Sequence, residues 1–335
     1  MSKNILLLMI TLVKALNLYS QQYTQDVLGA GYLCRTIELE YDYEGKVVAT
    51  LVKYKDSTRV TSQRAMLYIH GFNDYFFQTE LAESISTMGI DFYALDLRKY
   101  GRSLRPHQKR YNTRSISEYF EEIDAAIDII KKEGHDSIFL MGHSTGCLIA
   151  TLYIHNKDKG ANIKGLLLNS PFYKQNLSWF NENIGIPLVS LISYIFPNIS
   201  YEQSYSTAYT QSIHKSYGKE WDYDLALKLA SSPAVTFSWL RAIYNGQNQV
   251  KQIKNMPIPT VIMHSDKSTF DSQYNTSYDN SDAVLNISDM DKRAKNMGDN
   301  VETVVIKDAL HDIALSREGV RNIYYQEIQK FLDKF

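Results

Sequence analysis

The chain has 335 residues, and its 36 Lys and Arg nearly balance its 37 Asp and Glu. This length suits one large domain, or one domain with an insertion, and is ample for a sizeable core. The charge balance, without a long run of one sign, argues against nucleic-acid binding, for which a basic face is typical.

The N-terminal segment MSKNILLLMITLVKALNLYS (1–20) has the pattern of a secretory signal peptide cleaved near Ser20. A basic start precedes an apolar run over 5–13, which is too short to span a bilayer. Lys14 interrupts the apolar character, and an ordinary amphipathic helix is the alternative. We expect a secreted or periplasmic protein, or a cytoplasmic one if the leader is not cleaved.

Beyond residue 45, strand-like apolar segments alternate with helix-like ones. Continuous apolar strands alternating with helices indicate a parallel sheet covered on both faces. Strands are predicted over 46–54, 64–70, 90–97, 136–142, 162–171, 259–266 and the start of 301–312, and helices over 79–89, 115–134, 147–157 and 319–335. Residues 172–255 contain helix-like stretches and no strand-like run. We therefore predict an α/β core of residues 21–171 and 256–335, with a helical insertion at 172–255.

The segment MGHSTGCLIA (141–150) places Ser144 between a buried strand and a helix. A nucleophile there needs a sharp, strained turn, and small residues two positions before and after it let strand and helix close together. Gly142 and Gly146 supply them. The G-x-S-x-G pattern alone is weak, but a strand before it and a helix after it make Ser144 a specific candidate.

The segment HGFND (70–74) ends an earlier predicted strand. A tetrahedral oxyanion needs two backbone N–H donors. One would come from Thr145, directly after the candidate nucleophile, and the other from Phe72, aimed by the turn that Gly71 permits. A simple turn at the end of a strand is the alternative for this segment.

The candidate general base is His311, in the loop after the last predicted strand. His143 and His264 are interpreted as packing or structural residues. Two acids could orient the base: Asp266, directly after its strand, and Asp282, in NSDAVLNISDM. We favour Asp282 because the 29 residues from it to His311 (311 − 282) leave room for a helix and a strand.

The two cysteines, Cys34 and Cys147, are not expected to form a disulfide. Cys147 follows the serine turn, where a small buried side chain suits a helix packed on a sheet. The eight histidines lack the spacing of metal ligands. The chemistry proposed for the serine needs no metal or organic cofactor.

The chain resembles the α/β-hydrolase fold family, within its monoacylglycerol lipase, lysophospholipase and serine aminopeptidase branch. The motifs that carry the resemblance are YIHGFND, LDLRKYGRS, MGHSTG, NSPF, SDAVLNI and DALHDI, and the resemblance covers residues 26–335. It implies a mostly parallel central sheet with helices on both faces, an inserted helical cap, and a triad of Ser144, Asp282 and His311. The long polar segment before Asp282 departs from the family pattern.

The predicted cap contains the apolar run IGIPLVSLISYIFP (184–197). Three interpretations of this run are open: a buried helix of the cap, a wall of the pocket for an acyl chain, and a lid in transient contact with a lipid surface. Trp179, Phe180 and Trp239 would suit an apolar pocket. We therefore expect hydrolysis of a carboxylic ester with an acyl chain, such as a monoacylglycerol or a lysophospholipid.

Three other functions stay open. A serine aminopeptidase or amidase would use the same triad and a carboxylate in the cap to hold a free amino terminus. A non-catalytic binding protein on the same fold is disfavoured because candidates for every catalytic role are present. An acyltransferase would differ only in the acceptor. The cap carboxylates available to an aminopeptidase are Glu182, Glu202, Glu220 and Asp222.

Overall fold

A computed structural model describes residues 22–156, 163–203 and 206–335, so the predicted signal peptide lies outside the described residues. Nine strands form one sheet. They are β1 (Thr24–Gln25), β2 (Tyr32–Glu38), β3 (Val48–Tyr54), β4 (Arg64–Ile69), β5 (Asp91–Asp96), β6 (Ser137–His143), β7 (Ile163–Asn169), β10 (Thr260–Ser265) and β11 (Val301–Ile306). A separate antiparallel pair consists of β8 (Ser200–Tyr201) and β9 (Val235–Thr236).

The large sheet has the strand order β1-β2-β3-β5-β4-β6-β7-β10-β11. The pairs from β1 to β5 are antiparallel, and every pair from β5 to β11 is parallel. The predicted mostly parallel sheet is therefore confirmed. The sequence pattern missed β2, because its residues YLCRTIE are mostly half-buried and form no continuous apolar run. It also missed the two-residue strands β8 and β9, so the prediction of no strand in 172–255 is wrong.

Helices cover both faces of the sheet. They are α1 (Thr79–Thr87), α2 (Phe120–Lys132), α3 (Thr145–Asn156), α4 (Ile186–Ile192), α5 (Ala208–Ile213), α6 (Phe237–Gln252), α7 (Ile287–Ala294) and α8 (Glu318–Leu332). Alternate residues of β4 enter two separate apolar clusters, with Leu67 packed among residues of α2 and α3 and Met66 among residues of α1 and α8. Among the helices of the described residues, none has the length and apolar character needed to cross a membrane.

The chain between β7 and β10, residues 170–259, holds α4, α5, α6 and the β8–β9 pair; we call it the β7–β10 connection. Its helix α6 packs against α3, where Gly246 lies close to Leu148 and Leu152. Helix α4 packs in turn on α6. The division into a core and a cap at residues 171 and 256 stays a prediction.

The LDLRKYGRS segment forms a buried turn after β5. The Asp96 carboxylate accepts hydrogen bonds from the backbone N–H and the guanidinium of Arg102. Arg98 forms an ion pair with the fully buried Glu122. Gly101 has a φ of 42°, a left-handed conformation that favours glycine. These contacts hold the loop in place and do not bring its side chains to the candidate nucleophile.

The turn from β6 to α3 requires two glycines. A Cβ on Gly146 would lie 2.2 Å from the carbonyl oxygen of Ile69, at the end of β4. A Cβ on Gly142 would lie 2.7 Å from the backbone of Cys147. Both distances are too short for any larger residue, so the start of α3 lies directly against β4 and β6. The two free thiols, Cys34 in β2 and Cys147 in α3, are far apart in this arrangement of elements.

We predict that Gly146→Ala lowers the free energy of unfolding by about 1–3 kcal/mol or more, because the added methyl group overlaps backbone that cannot move aside. The matched control is Gly319→Ala in α8, where a Cβ meets nothing within 4 Å. We expect this control to be neutral or slightly stabilising. Denaturant unfolding measures both variants. Equal effects of the two substitutions would contradict the close approach at Gly146.

Candidate active site

Ser144 lies on the sharp turn between β6 and α3. Its φ of 52° is left-handed, a conformation that costs energy in a residue with a side chain. The backbone N–H of Ser144 donates to the carbonyl of Asn169 (2.9 Å), and its carbonyl accepts from the N–H groups of Cys147 and Phe172 (3.0 and 3.1 Å). These bonds fix the turn from both sides. The side chain borders a cavity, and the N-terminus of α3 behind it favours negative charge.

The loop after β4 lies directly against this turn. A Cβ on Gly71 would lie 3.0 Å from the ring of His143 and 3.1 Å from the Cβ of Ser144, so a larger residue here would push the serine turn away by a few tenths of an ångström. Phe72, the next residue, borders the same cavity as Ser144 and Thr145. Within the described residues, neither the Phe72 nor the Thr145 backbone N–H donates a hydrogen bond to the protein. Both are therefore available to an oxyanion.

The imidazole of His311 is paired with Asp282. Its Nδ1 lies 2.9 Å from Asp282 Oδ2, and both side chains are buried. The other carboxylate oxygen of Asp282 accepts the backbone N–H groups of Val284 and Leu285, each at 2.8 Å. Asp266 instead accepts a backbone N–H from the loop after β11. Of the two acids considered from the sequence, the structure brings Asp282 to His311.

His311 is also placed beside the serine turn. The ring of His143, the residue before Ser144, packs against the ring of His311 with centroids 4.9 Å apart. Ser144 Oγ and His311 form no hydrogen bond in this structure, a contact that is often loose in hydrolases without substrate. His264, as interpreted from the sequence, is a buried structural residue whose Nε2 lies 3.0 Å from a carboxylate oxygen of Asp291.

A buried polar cluster lies behind the two histidines. One potential ligand atom each from Asp74, His143 and Asp312 lie within 4.8 Å of one another. Burial and the neighbouring His311 hold the pKa of His143 well below its ordinary value, so its imidazole is neutral. Burial raises the pKa of Asp312. The ammonium of Lys228 lies 2.9 Å from Asp74, so this cluster has a cation of its own.

Sequence reasoning missed the Asp74, Asp312 and Lys228 side chains. Asp74 stands in HGFND and Asp312 in DALHDI, two motifs that were read for their glycine, backbone and histidine. The only sequence signal for Asp74 and Asp312 was their position inside these two motifs. Lys228 stands in a polar stretch with no pattern around it, so nothing in the sequence marked it.

The cavity beside Ser144 has a volume of about 630 Å³ and a largely apolar lining with several neutral polar groups. Its walls come from the loop after β4, the β7–β10 connection and the loop after β10. The residues that line it are Phe72, Ser144, Thr145, Phe172, Gln175, Asn176, Leu177, Asn181, Gly185, Ile186, Val189, Tyr201, Gln203, Ser232, Val235, Trp239, Leu240, Phe270, Asp271, Ala283, Val284 and Leu285.

The structure places one of the three aromatic residues expected at the pocket. Trp239 lines the cavity, with its ring 4.7 Å from that of Phe72. Trp179 and Phe180 do not line it; they are 72% and 58% exposed. The helical stretch that leads into α4 turns them to solvent and presents Ile186 and Val189 to the cavity instead. The expectation for Trp179 and Phe180 is corrected accordingly.

The carboxylates that an aminopeptidase could use are not at this cavity. Glu182, Glu202, Glu220 and Asp222 are absent from its lining. Glu220 pairs with Arg321 on α8, and Asp222 pairs with Lys215 in the β7–β10 connection. The acidic residue among the lining residues is Asp271, which the sequence analysis did not consider.

Comparison with known proteins places the chain among hydrolases. Residues 61–317 match the Hydrolase_4 family model, described as serine aminopeptidase, S33. A probable lysophospholipase L2 of Haemophilus influenzae is 23% identical over 287 residues, which cover 81% of this chain and 84% of that protein.

Solved structures show the same fold. A soluble variant of monoglyceride lipase from Saccharomyces cerevisiae, in complex with a substrate analog, superposes with a TM-score of 0.65 at 17% identity, covering 89% of this chain and 94% of that one. Monoacylglycerol lipase of Paleococcus ferrophilus gives a TM-score of 0.59 at 15% identity, covering 89% and 98%. With a family model matched over most of its length, this chain belongs to the Hydrolase_4 (serine aminopeptidase, S33) family and has the α/β-hydrolase fold.

Proposed function

We propose that the chain hydrolyses carboxylic esters of single acyl chains through an acyl-enzyme on Ser144. The observation that carries the proposal is the buried Asp282–His311 pair beside a strained Ser144, at a cavity onto which two unused N–H groups open. A nucleophile, a base oriented by an acid, and two oxyanion donors are the parts that acyl transfer needs.

The steps follow from this arrangement. His311 takes the proton of the Ser144 hydroxyl as its oxygen attacks the ester carbonyl, and Asp282 stabilises the imidazolium that forms. The Phe72 and Thr145 N–H groups bind the oxyanion. The tetrahedral species collapses, the C–O bond to the leaving alcohol breaks, and His311 gives the alcohol its proton. A water molecule, deprotonated by His311, then attacks the acyl-enzyme and releases the fatty acid and the free serine.

The cavity favours a neutral substrate with an acyl chain. Its apolar walls suit a hydrocarbon chain, and its amides and hydroxyls suit hydrogen bonds to a glycerol. None of the residues that line it is Lys, Arg or His, so a phosphate group inside would have no cationic partner. We therefore favour a monoacylglycerol over a lysophospholipid, the substrate in the name of the Haemophilus influenzae relative. The amide alternative loses its four expected carboxylates, which lie elsewhere, and keeps only Asp271 among the described residues that line the cavity.

The segment of residues 180–195, which contains α4, supports contact with a lipid surface. Phe180, Ile184, Leu188, Leu191 and Ile195 follow one another at intervals of four, four, three and four residues, from the stretch before α4 to the turn after it. Leu188 and Leu191, three residues apart, share one face of α4. All five are exposed, by 44–75%. Exposed apolar faces of this kind mark interaction sites, and an apolar helix face at a cavity that takes lipid esters suits a lipid surface. We include transient contact with such a surface in the proposal.

Export of the protein also belongs to the proposal. It rests on the basic start and short apolar run of residues 1–20, which lie outside the described residues. Cleavage near Ser20 would leave every residue of the candidate site in the mature chain.

We predict that Ser144→Ala lowers kcat for p-nitrophenyl esters about 10⁴-fold or more, because no other described group at the cavity supplies the nucleophile in this mechanism. The wild-type chain-length optimum then measures the acyl site. A comparison of monoacylglycerol with the lysophospholipid of the same chain should give the higher kcat/KM for the neutral ester. Equal activity of Ser144→Ala and wild type would exclude the acyl-enzyme, and no ester hydrolysis by either would favour a binding protein.

We predict that Asp282→Asn lowers kcat about 10³–10⁴-fold, because an amide facing His311 stabilises the wrong tautomer. Asp266→Asn is the matched control. Its carboxylate accepts a single backbone N–H, and we expect its kcat to stay within a few-fold of wild type. Steady-state kinetics on the same ester checks both, and a larger loss in Asp266→Asn would reverse the assignment of the acid.

We predict that Leu191→Ser with Ile195→Ser weakens binding to phospholipid vesicles several-fold while hydrolysis of a short, soluble ester is unchanged, because neither side chain lines the cavity. Val60→Ser with Val305→Ser, which changes exposed apolar residues in other parts of the chain, is the control. Vesicle cosedimentation measures the binding. Equal loss in the two double variants would remove the assignment to this helix face.

A further inference from the structure

The ammonium of Lys228 is buried in the core of the molecule, and the steps above do not use it. Its Nζ lies 2.9 Å from Asp74 Oδ1, and its side chain is 8% exposed. The ring centres of Phe77, Tyr209 and Tyr223 lie 5.7–5.8 Å from Nζ. A buried ammonium is costly unless a carboxylate and polarisable neighbours compensate it. Lys228 is therefore held at one position by a charge and three aromatic rings.

Asp74 depends on this lysine. Within the described residues, Lys228 is the only group that donates a hydrogen bond to the Asp74 carboxylate, whose Oδ2 is buried without a partner. Asp312 differs, because the amides of Gln78 and Asn169 donate to its two oxygens at 2.9 and 2.8 Å. Loss of Lys228 would leave Asp74 as a buried charge without a counterion.

The groups around Lys228 reach His311 through two intervening rings, those of Tyr209 and His143. Asp282 binds the Nδ1 of His311, Asp312 is the next residue, and the ring of Tyr209 lies 6.3 Å from its ring. His143, which is neutral, packs on it and lies with Asp74 and Asp312 in the cluster within 4.8 Å. Asp282 and Asp312 therefore bring charge directly to the imidazole from the loops after β10 and β11. Asp74, in the loop after β4, and Lys228, in the β7–β10 connection, lie one ring further away, behind His143. At these depths charges interact more strongly than in water.

Lys228 also fixes the loop that carries the Phe72 N–H. Asn73, with a φ of 48°, donates from its amide to the Leu229 carbonyl and accepts the Leu229 N–H, both at 2.9 Å. The carboxylate of Asp74, the next residue, forms an ion pair with the ammonium of Lys228. Two successive residues of this loop are thus bound to two successive residues of the β7–β10 connection.

We propose that Lys228 is a positioning residue for ester hydrolysis: held by Asp74, its buried ammonium balances the carboxylates behind His311 and keeps the loop that carries the Phe72 N–H in place. The proposal rests on the proposed function for its reaction. Lys228 does not line the cavity, so its role is separate from substrate binding.

The test is the acid limb of kcat/KM for p-nitrophenyl butyrate, measured with the full chain. Lys228→Met leaves negative charge beside His311, favours the imidazolium and should move the acid limb to higher pH by about 1 unit. Asp74→Asn leaves the ammonium unbalanced and should move the limb to lower pH. The double variant removes both charges and should return the limb to its wild-type position. Lys228→Arg, which keeps the charge, should leave the limb in place.

A second readout does not depend on activity. The midpoint of the His311 imidazole titration, followed by NMR with ¹⁵N-labelled histidine and assigned with His311→Asn, should move in the same two directions. The proposal would be overturned if the two single variants moved the midpoint of the His311 titration in the same direction, or if neither variant moved it. Absence of ester hydrolysis by the wild type, with opposite NMR shifts in the two variants, would instead reject the proposed function and retain the charge balance.

Discussion

The backbone contact between Gly146 and the end of β4 is the constraint on which the site depends. Because a Cβ on Gly146 would lie only 2.2 Å from the Ile69 carbonyl oxygen, the turn that holds Ser144 lies directly against the strand that leads into the loop of Phe72. One close approach therefore places the candidate nucleophile, the Thr145 N–H and the Phe72 N–H together. The contact is made by backbone atoms alone, so glycines occupy the sites of contact. Ser144, between them, adopts the strained left-handed backbone conformation of the turn.

The other half of the site is built by two loops at the same edge of the sheet. The segment after β10 leaves the strand and returns: the Asp282 N–H donates to the Lys267 carbonyl, and the Asp282 carbonyl accepts the Thr269 N–H. Asp282 is thus brought back next to the end of β10 although it lies fifteen positions after Lys267 in the sequence (282 − 267). The polar segment between Lys267 and Asp282 forms the loop that these two hydrogen bonds close, and Asp271 on this segment reaches the cavity.

The sequence predicted the elements whose patterns are local and left out those set by tertiary contacts. Continuous apolar runs identified β3 to β7 and β10, because burial on both faces demands them. The apolar residues of β11 also identified that strand, although it lies at the edge of the sheet and is mostly half-buried or exposed. The choice between Asp266 and Asp282 depended on hydrogen bonds that close a loop, which spacing alone does not reveal. Trp179 and Phe180 were misplaced because hydrophobicity indicates an apolar role but not which side of a helix faces the cavity. Lys228 had no pattern to mark it, since its burial arises only when the connection folds onto the core.

Polar contacts divide the β7–β10 connection into two unequal parts. The part from α5 to β9 is bound to the core by Asn73–Leu229, Asp74–Lys228 and Arg321–Glu220, and by the Trp221 indole N–H, which donates to the Leu315 carbonyl. The α4 part packs on α6 with one face and turns apolar side chains to solvent with the other. The bound part fixes the charges and the loop at the candidate catalytic residues, and moving it would break the buried Asp74–Lys228 ion pair. Adaptation to substrates of different length is therefore cheapest on the α4 side, the same side on which the exposed apolar face lies.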